Sequence, residues 1–574
     1  MRLLRYLSPY RWKIFVIIVL VFLQSLSSLY LPHLMSQIVD NGVLGHDMAT
    51  ILQLGGFMLV ISIVGGVCSI AASYFASKVS MGFGRDLRSK VFSRVEHYTL
   101  HEISTIGTAS LITRTTNDIT QVQQLANMML RMMVMAPLTA IGGIIMAVTT
   151  DAHLSLVIVG ILPVLAIAIF SILGRATKLF KSMQVKIDTL NRVLREGLTG
   201  VRVIRSFNRG MFENHRFDMA NLDLTSTSIQ VNKIMALMFP LMMLIINFST
   251  VAIVWFGGLR VGVGQMQIGS LMAFIQYVMQ ILFSVMMVSM MSFMIPRASA
   301  SAARINEVLE TEPEITDPIN PKDEQGDVGL VEFRDVSFYY PGAKQAALQH
   351  VSFMAQAGAV TAIIGGTGSG KSTLLHMITR FYDATQGQIL IDGIDVRELS
   401  QERLRAKMGY VPQQAVLFSG SIKENIRYGK ADATDDEIRH AADVAQATEF
   451  ISKMPDTFDA EITQGGTNVS GGQKQRLSIA RALVRRPRIY LFDDSFSALD
   501  FKTDAALRAA LKPEVLQSTV LIVAQRVSTV IEADQIIVLD EGKVEGIGTH
   551  DTLLHSCNAY QEIVASQLAK GESA

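Results

Sequence analysis

The residues best suited to chemistry form a glycine-rich run in the C-terminal half of the chain. Gly365-Gly366-Thr367-Gly368-Ser369-Gly370-Lys371-Ser372 follows an apolar stretch predicted to be a strand and precedes a predicted helix that opens at Thr373. In this arrangement backbone amides and the helix N-terminus surround phosphate groups, the lysine reaches the β- and γ-phosphates, and the serine hydroxyl binds Mg²⁺. The sequence therefore predicts a phosphate-binding loop made of Gly365, Gly366, Thr367, Gly368, Ser369, Gly370, Lys371, Ser372 and Thr373.

A carboxylate at the end of a second apolar strand complements this loop. The run 489–493 ends in Asp493. A buried strand with a terminal aspartate can hold Mg²⁺ through water on the side opposite Ser372. Either motif alone is weak, but the pair predicts binding of a nucleoside triphosphate together with Mg²⁺.

The elements around these motifs are typical of an α/β domain. Short strand-forming runs alternate with helical segments and glycine turns, which favours a largely parallel sheet; the runs are 360–364, 388–391, 489–492, 519–523 and 535–539. A stretch rich in Pro, Asp, Glu and Gly precedes them, a composition typical of linkers. We therefore predict a linker at 311–328 and a nucleotide-binding domain at 329–574.

The N-terminal half has the composition of a membrane protein. Of 574 residues, 49% are hydrophobic and 18% charged, which indicates a membrane part joined to a soluble part. Residues 1–310 contain six uncharged stretches long enough to cross a bilayer, at 14–38, 52–77, 132–150, 154–174, 234–259 and 268–296. The net charge of +1 gives no reason to expect a nucleic-acid partner. Cys68 and Cys557, the two cysteines, cannot form a disulfide framework or a cysteine-based metal site.

The distribution of basic residues predicts the orientation. Segments 78–131 and 175–216 are rich in Lys and Arg, whereas the turns 40–49, 151–153 and 260–267 hold a single Arg. By the positive-inside rule the basic segments and both termini are cytoplasmic, in a multi-pass protein of the cell (inner or plasma) membrane. Helix-period apolar positions in the basic segments predict stalks that continue the membrane helices into water. The stretches 97–106 and 207–214 interrupt that pattern and are either small contact elements or the ends of solvated hairpins.

The run 469–476, which contains Ser470-Gly471-Gly472-Gln473, completes a family pattern. With the order of membrane helices, stalks, linker and nucleotide domain, the chain resembles an ATP-binding cassette (ABC) exporter half-transporter of the type IV fold. The resemblance implies a membrane all-α domain plus an α/β P-loop nucleotide-binding domain, with ATP and Mg²⁺ as cofactors. It also implies that Tyr340 stacks on adenine, that Gln413 joins Mg²⁺ to the contact with the membrane domain, and that 497–500 is the D-loop.

The family pattern further implies a second subunit. Ser470, Gly471, Gly472 and Gln473 would contact the γ-phosphate of ATP held by another copy of the domain, because small residues allow amides at a helix N-terminus to approach closely. One chain would therefore supply half of each of two composite ATP sites.

The chain departs from the family pattern at residues that position and activate the attacking water. Asp494 stands where the family has a catalytic Glu, Gln525 where it has a switch His, and Gln464 where a Glu is usual. Shortening the carboxylate by one methylene misplaces it by about 1.5 Å, which can cost on the order of a hundredfold in rate. Glutamine cannot shuttle a proton as histidine does. The chain is thus similar to the degenerate-site subunit of bacterial heterodimeric multidrug exporters, whose partner carries the intact Glu and His.

The last two predicted spans suggest a substrate path. They are rich in methionine and aromatic residues, which suit a surface that accepts differently shaped apolar molecules, although packing against lipid or helices is the alternative. Polar amides inside spans normally face a neighbour or a wet cavity. The candidate path residues are Asn247, Gln276, Gln280, Phe283 and Met286.

We therefore expect ATP-driven export of amphipathic (multidrug) compounds by a heterodimer, with partners that include the second half-transporter, an amphipathic small molecule and membrane lipid. Two alternatives remain. The first is a lipid or lipopolysaccharide flippase acting as a homodimer, and the second is a membrane-tethered nucleotide-sensing regulatory subunit.

Overall fold

The chain folds into two compact units. The computed structural model describes residues 2–291, 294–322 and 326–571. The first unit comprises the residues up to Glu96 and Thr108–Thr311, and the second comprises His97–Gly107 and the chain from Glu312 onward. Residues 292–293 of the predicted sixth span, 323–325 of the predicted linker and 572–574 of the predicted nucleotide domain lie outside the described residues.

The first unit consists of helices. Within the described residues, six helices are long and apolar enough to cross a membrane, namely Leu3–Val43, Met48–Glu96, Thr108–Thr150, Leu156–Thr199, Gly210–Gly262 and Ile268–Glu310. The six predicted spans are thereby confirmed. The second of these helices has 49 residues, whereas about 20 suffice to cross a bilayer, so it continues well beyond the predicted span.

In the described residues, these long helices and the short connections between them comprise ten α-helical segments. They are α1 Arg11–Gln37, α2 Met48–Glu96, α3 Leu100–Ile106, α4 Thr108–Thr113, α5 Ile119–Thr150, α6 Leu156–Thr199, α7 Val201–Ser206, α8 Gly210–Gly262, α9 Ile268–Met291 and α10 Met294–Glu310. π-Helical turns at Ile38–Val43 and Arg114–Asp118 follow α1 and precede α5. An ion pair fixes α10 beside the second of these turns, because Arg304 donates from Nε to Oδ2 of Asp118 at 2.7 Å.

The second unit is built on a mostly parallel sheet. Its strands are β1 Val331–Phe338, β2 Leu348–Ala355, β3 Val360–Ile364, β4 Gln386–Ile391, β5 Ile394–Asp395, β6 Met408–Val411, β7 Gly420–Ser421, β8 Glu461–Ile462, β9 Ile489–Asp493, β10 Thr519–Val523, β11 Gln535–Asp540 and β12 Lys543–Gly548. The large sheet has the order β12-β11-β3-β10-β9-β6. Adjacent strands in this sheet are parallel, except that β12 is antiparallel to β11. Every residue of β9 and β10 is buried, as expected of strands covered on both faces.

Ten helices cover or flank this sheet in the described part of the second unit, besides α3. They are α11 Lys371–Ile378, α12 Gln401–Ala406, α13 Ile422–Arg427, α14 Asp435–Val444, α15 Thr448–Ile451, α16 Gly471–Leu483, α17 Phe501–Glu514, α18 Val527–Val530, α19 His550–Ser556 and α20 Asn558–Gly571. A second, antiparallel sheet has the order β2-β1-β4-β5. The α/β class predicted from the sequence is confirmed.

The segment around α3 belongs to the second unit although both of its ends continue into helices of the first. Thr99 caps α3, and the buried carboxylate of Glu102 accepts from the Thr99 backbone N–H at 2.6 Å. The other oxygen of Glu102 accepts from the backbone N–H of Glu314 at 2.9 Å. A single carboxylate therefore ties the α3 segment to the chain that follows α10.

Candidate functional site

The phosphate-binding loop connects β3 to α11, as its sequence predicts. Gly370, at the N-cap of α11, has φ of 97°, and a Cβ there would lie 2.6 Å from the carbonyl oxygen of Ala347. Both the left-handed backbone and the close approach require glycine at this position. The helix consequently begins directly after the loop, and its N-terminal amides lie beside it.

Lys371 and Ser372 occupy the first turn of α11. Lys371 donates from Nζ to the carbonyl oxygens of Gly365 at 2.9 Å and Gly366 at 2.6 Å. Burial lowers the pKa of the Lys371 ammonium, while the charges of the nearby aspartates act in the opposite sense. Ser372 donates from Oγ to Oδ1 of Asp493 at 2.9 Å, so the predicted hydroxyl and carboxylate ligands of Mg²⁺ are adjacent.

Asp494 is held by two amides from distant parts of the chain. Its Oδ2 accepts from Nε2 of Gln525 at 2.9 Å and from Nε2 of Gln413 at 3.3 Å. Its backbone is left-handed, with φ of 46°, and its N–H donates to the carbonyl of Val523 at 3.0 Å. Burial raises the pKa of both Asp493 and Asp494.

Tyr340 contacts the first turn of α11. Its hydroxyl hydrogen bonds with Oγ1 of Thr373 at 2.8 Å, and its ring packs edge-on against Phe338 and Tyr382, with centroids 4.9 and 5.3 Å away. The ring is thus fixed beside the first turn of α11. Its stacking on adenine stays a prediction.

A cavity of about 340 Å³ joins these side chains. Of the predicted residues it is lined by Tyr340, Thr367, Gly368, Gly370, Lys371, Ser372, Thr373, Gln413, Asp493, Asp494 and Gln525. Gly365, Gly366 and Ser369 belong to the loop but do not line the cavity. Ala347 and Val523 line it and were missed. Val523 ends β10, the parallel neighbour of β3 and β9, so its place at the same sheet edge was a usable signal.

Ser470, Gly471, Gly472 and Gln473 are not among the residues that line this cavity. Ser470 is the N-cap of α16, where its Oγ accepts from the N–H of Gln473 at 3.3 Å and Gln473 Oε1 accepts from the N–H of Ser470 at 2.8 Å. Ser470 and Gly471 are exposed, and a Cβ on Gly471 would meet no atom within 4 Å. The start of α16 is therefore exposed at the surface of this chain. Gln464 is exposed in a short turn before it.

Family models match both units. One described as ABC transporter transmembrane region matches residues 14–285, and one described as ABC transporter matches residues 348–497. The chain belongs to the ABC transporter family. Its order of membrane region and ATPase domain is that of a half-transporter of the type IV fold.

Similar proteins cover almost the whole ABC transporter. An uncharacterized ABC transporter ATP-binding protein of Mycobacterium tuberculosis is 45% identical, over 98% of this chain and 97% of the relative. An ATP-dependent lipid A-core flippase of Aromatoleum aromaticum is 34% identical, over 88% of this chain and 83% of the relative. A solved structure of a bacterial Atm1-family ABC exporter with ATP bound has a TM-score of 0.79 and 25% identity, and covers 97% of this chain and 98% of that one.

The predicted path residues of this ABC transporter have unlike surroundings. Asn247 and Gln276 are exposed, and Phe283 is 50% exposed. Met286 packs, partly buried, against the apolar core of the membrane unit. Gln280 donates from Nε2 to the backbone carbonyl of Ser28 at 3.0 Å, which ties α9 to α1. The structure gives Gln280 a neighbouring helix as partner, and a shared substrate surface stays a prediction.

Proposed function

We propose that this ABC transporter exports amphipathic compounds as one half of a heterodimer, at the expense of ATP. In this proposal its own ATP site binds nucleotide and hydrolyses it poorly. The partner half-transporter carries the intact Glu and His, and both termini of this chain are cytoplasmic. Hydrolysis then takes place mainly at the composite site that this chain completes with Ser470–Gln473.

The observation that carries the proposal is the environment of Asp494. A general base needs an oxygen within hydrogen-bond reach of the attacking water. Here Oδ2 of Asp494 already accepts from the amides of Gln525 and Gln413, and the side chain is one methylene shorter than glutamate. Burial raises the pKa of Asp494, so weak basicity is not the obstacle. The obstacle is position, because a misplacement of about 1 Å can cost on the order of a hundredfold.

The residues present fit a nucleotide. The cavity of about 340 Å³ contains the loop, the buried ammonium of Lys371 and the ring of Tyr340 at one edge. Lys371 and the α11 N-terminus would hold the phosphates, and Ser372, Asp493 and Gln413 would hold Mg²⁺. When bound, Mg²⁺ would neutralise charge on the phosphates. Gln525, an amide, would donate a hydrogen bond to a phosphate oxygen and carry no proton to or from it.

The exposed start of α16 supports a second subunit. A helix N-terminus capped by Ser470 presents backbone amides to an anion, and the residues that line this chain's own cavity do not include it. A homodimer would put Asp494 and Gln525 in both sites. A heterodimer with one intact site retains efficient hydrolysis.

The double substitution Asp494→Glu with Gln525→His tests the proposal in the pair purified from native membrane. It should raise ATP turnover of the pair, because it restores the carboxylate reach and the titratable group. Asp436→Glu, at an exposed aspartate, is the matched control and should leave turnover unchanged. Turnover by the isolated wild-type chain that equals that of the pair would refute the degenerate site.

A homodimeric lipid or lipopolysaccharide flippase is the second candidate, favoured by the likeness to the lipid A-core flippase. Reconstitution of this chain alone separates the two, because only the flippase would move a fluorescent lipid with ATP in that preparation. A nucleotide-sensing subunit would differ from both. It would bind ATP in the pair without any ATP-driven transport.

A further inference from the structure

A second cavity lies in the membrane unit, away from the predicted path. It has a volume of about 330 Å³, and the residues that line it belong to α2, α5 and α10. No residue of the predicted substrate path lines it. Its lining combines one guanidinium, several neutral polar groups and a methionine wall.

The methionines come from all three helices. They are Met81 on α2, Met128 and Met132 on α5, and Met294 on α10. Unbranched, polarizable side chains adjust to ligands of different shape, which an aliphatic wall of branched residues does less well. The wall therefore suits an apolar body of no single shape.

The amides beside this wall are held in place by neighbours. Asn127 donates from Nδ2 to Oγ of Ser80 at 3.0 Å. Gln123 is buried and accepts at Oε1 from Arg88 at 3.1 Å, which brings a second guanidinium close to the cavity. These bonds fix a polar rim that carries positive charge.

Arg131 is the charged residue of the lining. Within the described part of the chain it has no carboxylate partner and no hydrogen bond, and no Asp or Glu lines the cavity. An arginine usually pairs with a carboxylate or a phosphate, since its planar fork of donors matches both. Arg131 is exposed, so its guanidinium is free to pair with the acidic group of a molecule whose apolar part packs on the methionine wall.

The predicted orientation indicates how deep in the membrane this cavity lies. Ser80 and Met81 follow the end of the second predicted span, Arg131 directly precedes the third, and Met294 is near the end of the sixth. All lie at the predicted cytoplasmic boundary of the bilayer. That is where the headgroup of an inner-leaflet amphipath would meet basic side chains while its apolar part stays in the membrane.

We propose that this cavity is a loading site for amphipathic anions, with Arg131 binding the acidic headgroup and the methionine wall binding the apolar body. The inference rests on the proposed export function and narrows its substrate class from amphipaths in general to acidic ones. Cationic amphipaths should bind there more weakly, because the guanidinium of Arg131 lines the cavity, that of Arg88 is bonded to the lining residue Gln123, and no carboxylate lines the cavity.

Binding of two matched probes tests the site. Full-length chain in nanodiscs of neutral lipid is titrated with pyrenebutyrate and with pyrenylbutyl-trimethylammonium, and binding to empty discs is subtracted. Arg131→Gln should weaken binding of the anion roughly tenfold, the usual effect of losing one hydrogen bond to a charged group, and leave the cation unchanged. Arg131→Lys should retain part of the affinity, which shows that the cavity is intact.

Arg175→Gln is the matched control, because Arg175 is an exposed arginine directly after the fourth predicted span and bonds only within its own helix. It should change neither affinity. Unchanged anion binding in Arg131→Gln, or equal weakening of both probes, would overturn the proposal.

A second set of binding measurements, in discs that contain an acidic lipid, identifies whether the anion is a membrane lipid or a free compound. Discs that contain phosphatidylglycerol are compared with neutral discs, each against Arg131→Gln discs of the same composition. Displacement of the probe by the acidic lipid supports the site with a membrane lipid as ligand, and retention supports it with a free compound. The proposed binding requires neither ATP nor a partner subunit. If the pair binds pyrenebutyrate but shows no ATP-driven uptake of it, the export function is refuted and the binding site is retained.

Discussion

Replacing Glu102 with glutamine should loosen the contact between α3 and the chain that follows α10. Glu102 is 6% exposed and uses both of its oxygens, one toward Thr99 and one toward the backbone N–H of Glu314. A glutamine offers one oxygen and one NH₂ group, so at least one N–H donor would face another donor. The α3 segment then loses a hydrogen bond to the chain that follows α10.

The size of the effect follows from these bonds. A hydrogen bond to a charged group contributes about 1.5–3 kcal/mol. Loss of one such bond, about 2 kcal/mol, raises the population of the opened contact roughly 30-fold, since every 1.4 kcal/mol is a factor of ten. The buried site offers little room for water to replace the lost partner.

Hydrogen exchange of the full-length chain measures this opening directly, because the Glu314 amide is itself the donor. Exchange of peptides that cover 312–317 should accelerate roughly 30-fold in Glu102→Gln. Glu96→Gln, an exposed glutamate just before the same segment, is the control and should leave exchange unchanged. Protection of 312–317 equal to wild type in Glu102→Gln would refute the reasoning.

The contact that Glu102 makes should weaken only at acidic pH. Burial by itself would raise the pKa of Glu102, but hydrogen bonds from Thr99 and from the Glu314 backbone outweigh it and hold the pKa below its usual value. The contact is therefore at full strength above the unfolded value of about 4.3 and is lost only as pH falls through the lower folded pKa. Between pH 6 and pH 8 the difference between wild type and Glu102→Gln should stay constant.

Three further predictions concern the nucleotide site and the membrane path. In the assembled pair, Lys371→Ala should weaken nucleotide binding at this chain's site and slow transport only in part, whereas Ser470→Ala should reduce ATP turnover about a hundredfold, as loss of a donor to a reacting anion does; equal effects on measured turnover would contradict the asymmetric assignment. Gly370→Ala should destabilise the loop by about 1–3 kcal/mol and impair ATP binding, while Gly210→Ala, at the start of α8 and outside the nucleotide site, where a Cβ would meet no atom within 4 Å, should leave thermal unfolding and binding near wild type. Phe283→Asn should change which of three unrelated dyes are exported at unchanged ATPase activity, and a loss in proportion to protein amount would instead indicate packing.

The features that the sequence predicts well are those encoded by adjacent residues. The loop from Gly365 to Ser372 is contiguous, so its strand, turn and helix can be identified without knowledge of the rest of the fold. The six membrane helices are likewise confirmed, because the length of an apolar run is a local property.

The features that escaped prediction depend on distant parts of the chain. The family resemblance implies that Gln413 and Gln525 are site residues, but it does not indicate that both bond to Asp494, from which they lie 81 and 31 residues away. The parallel order of β6, β9 and β10 brings them to this carboxylate. The sequence does not indicate which unit the α3 segment joins, because a helical hairpin and a docked helix have the same local pattern. The cavity at Arg131 depends on the packing of three helices and has no signal in any one of them.

The left-handed backbone at Asp494 also bears on how this site can change in evolution. Aspartate adopts that conformation more readily than most residues, because its short side chain bonds to nearby backbone. Codons for aspartate and glutamate differ by one base, so the glutamate of the family pattern is a single mutation away. The longer side chain would have to accept a conformation that costs about 1–3 kcal/mol, a substantial part of the roughly 5–15 kcal/mol that holds a domain folded. Under the proposed function, we expect relatives that have glutamate at this position to carry stabilising residues near β9 as well.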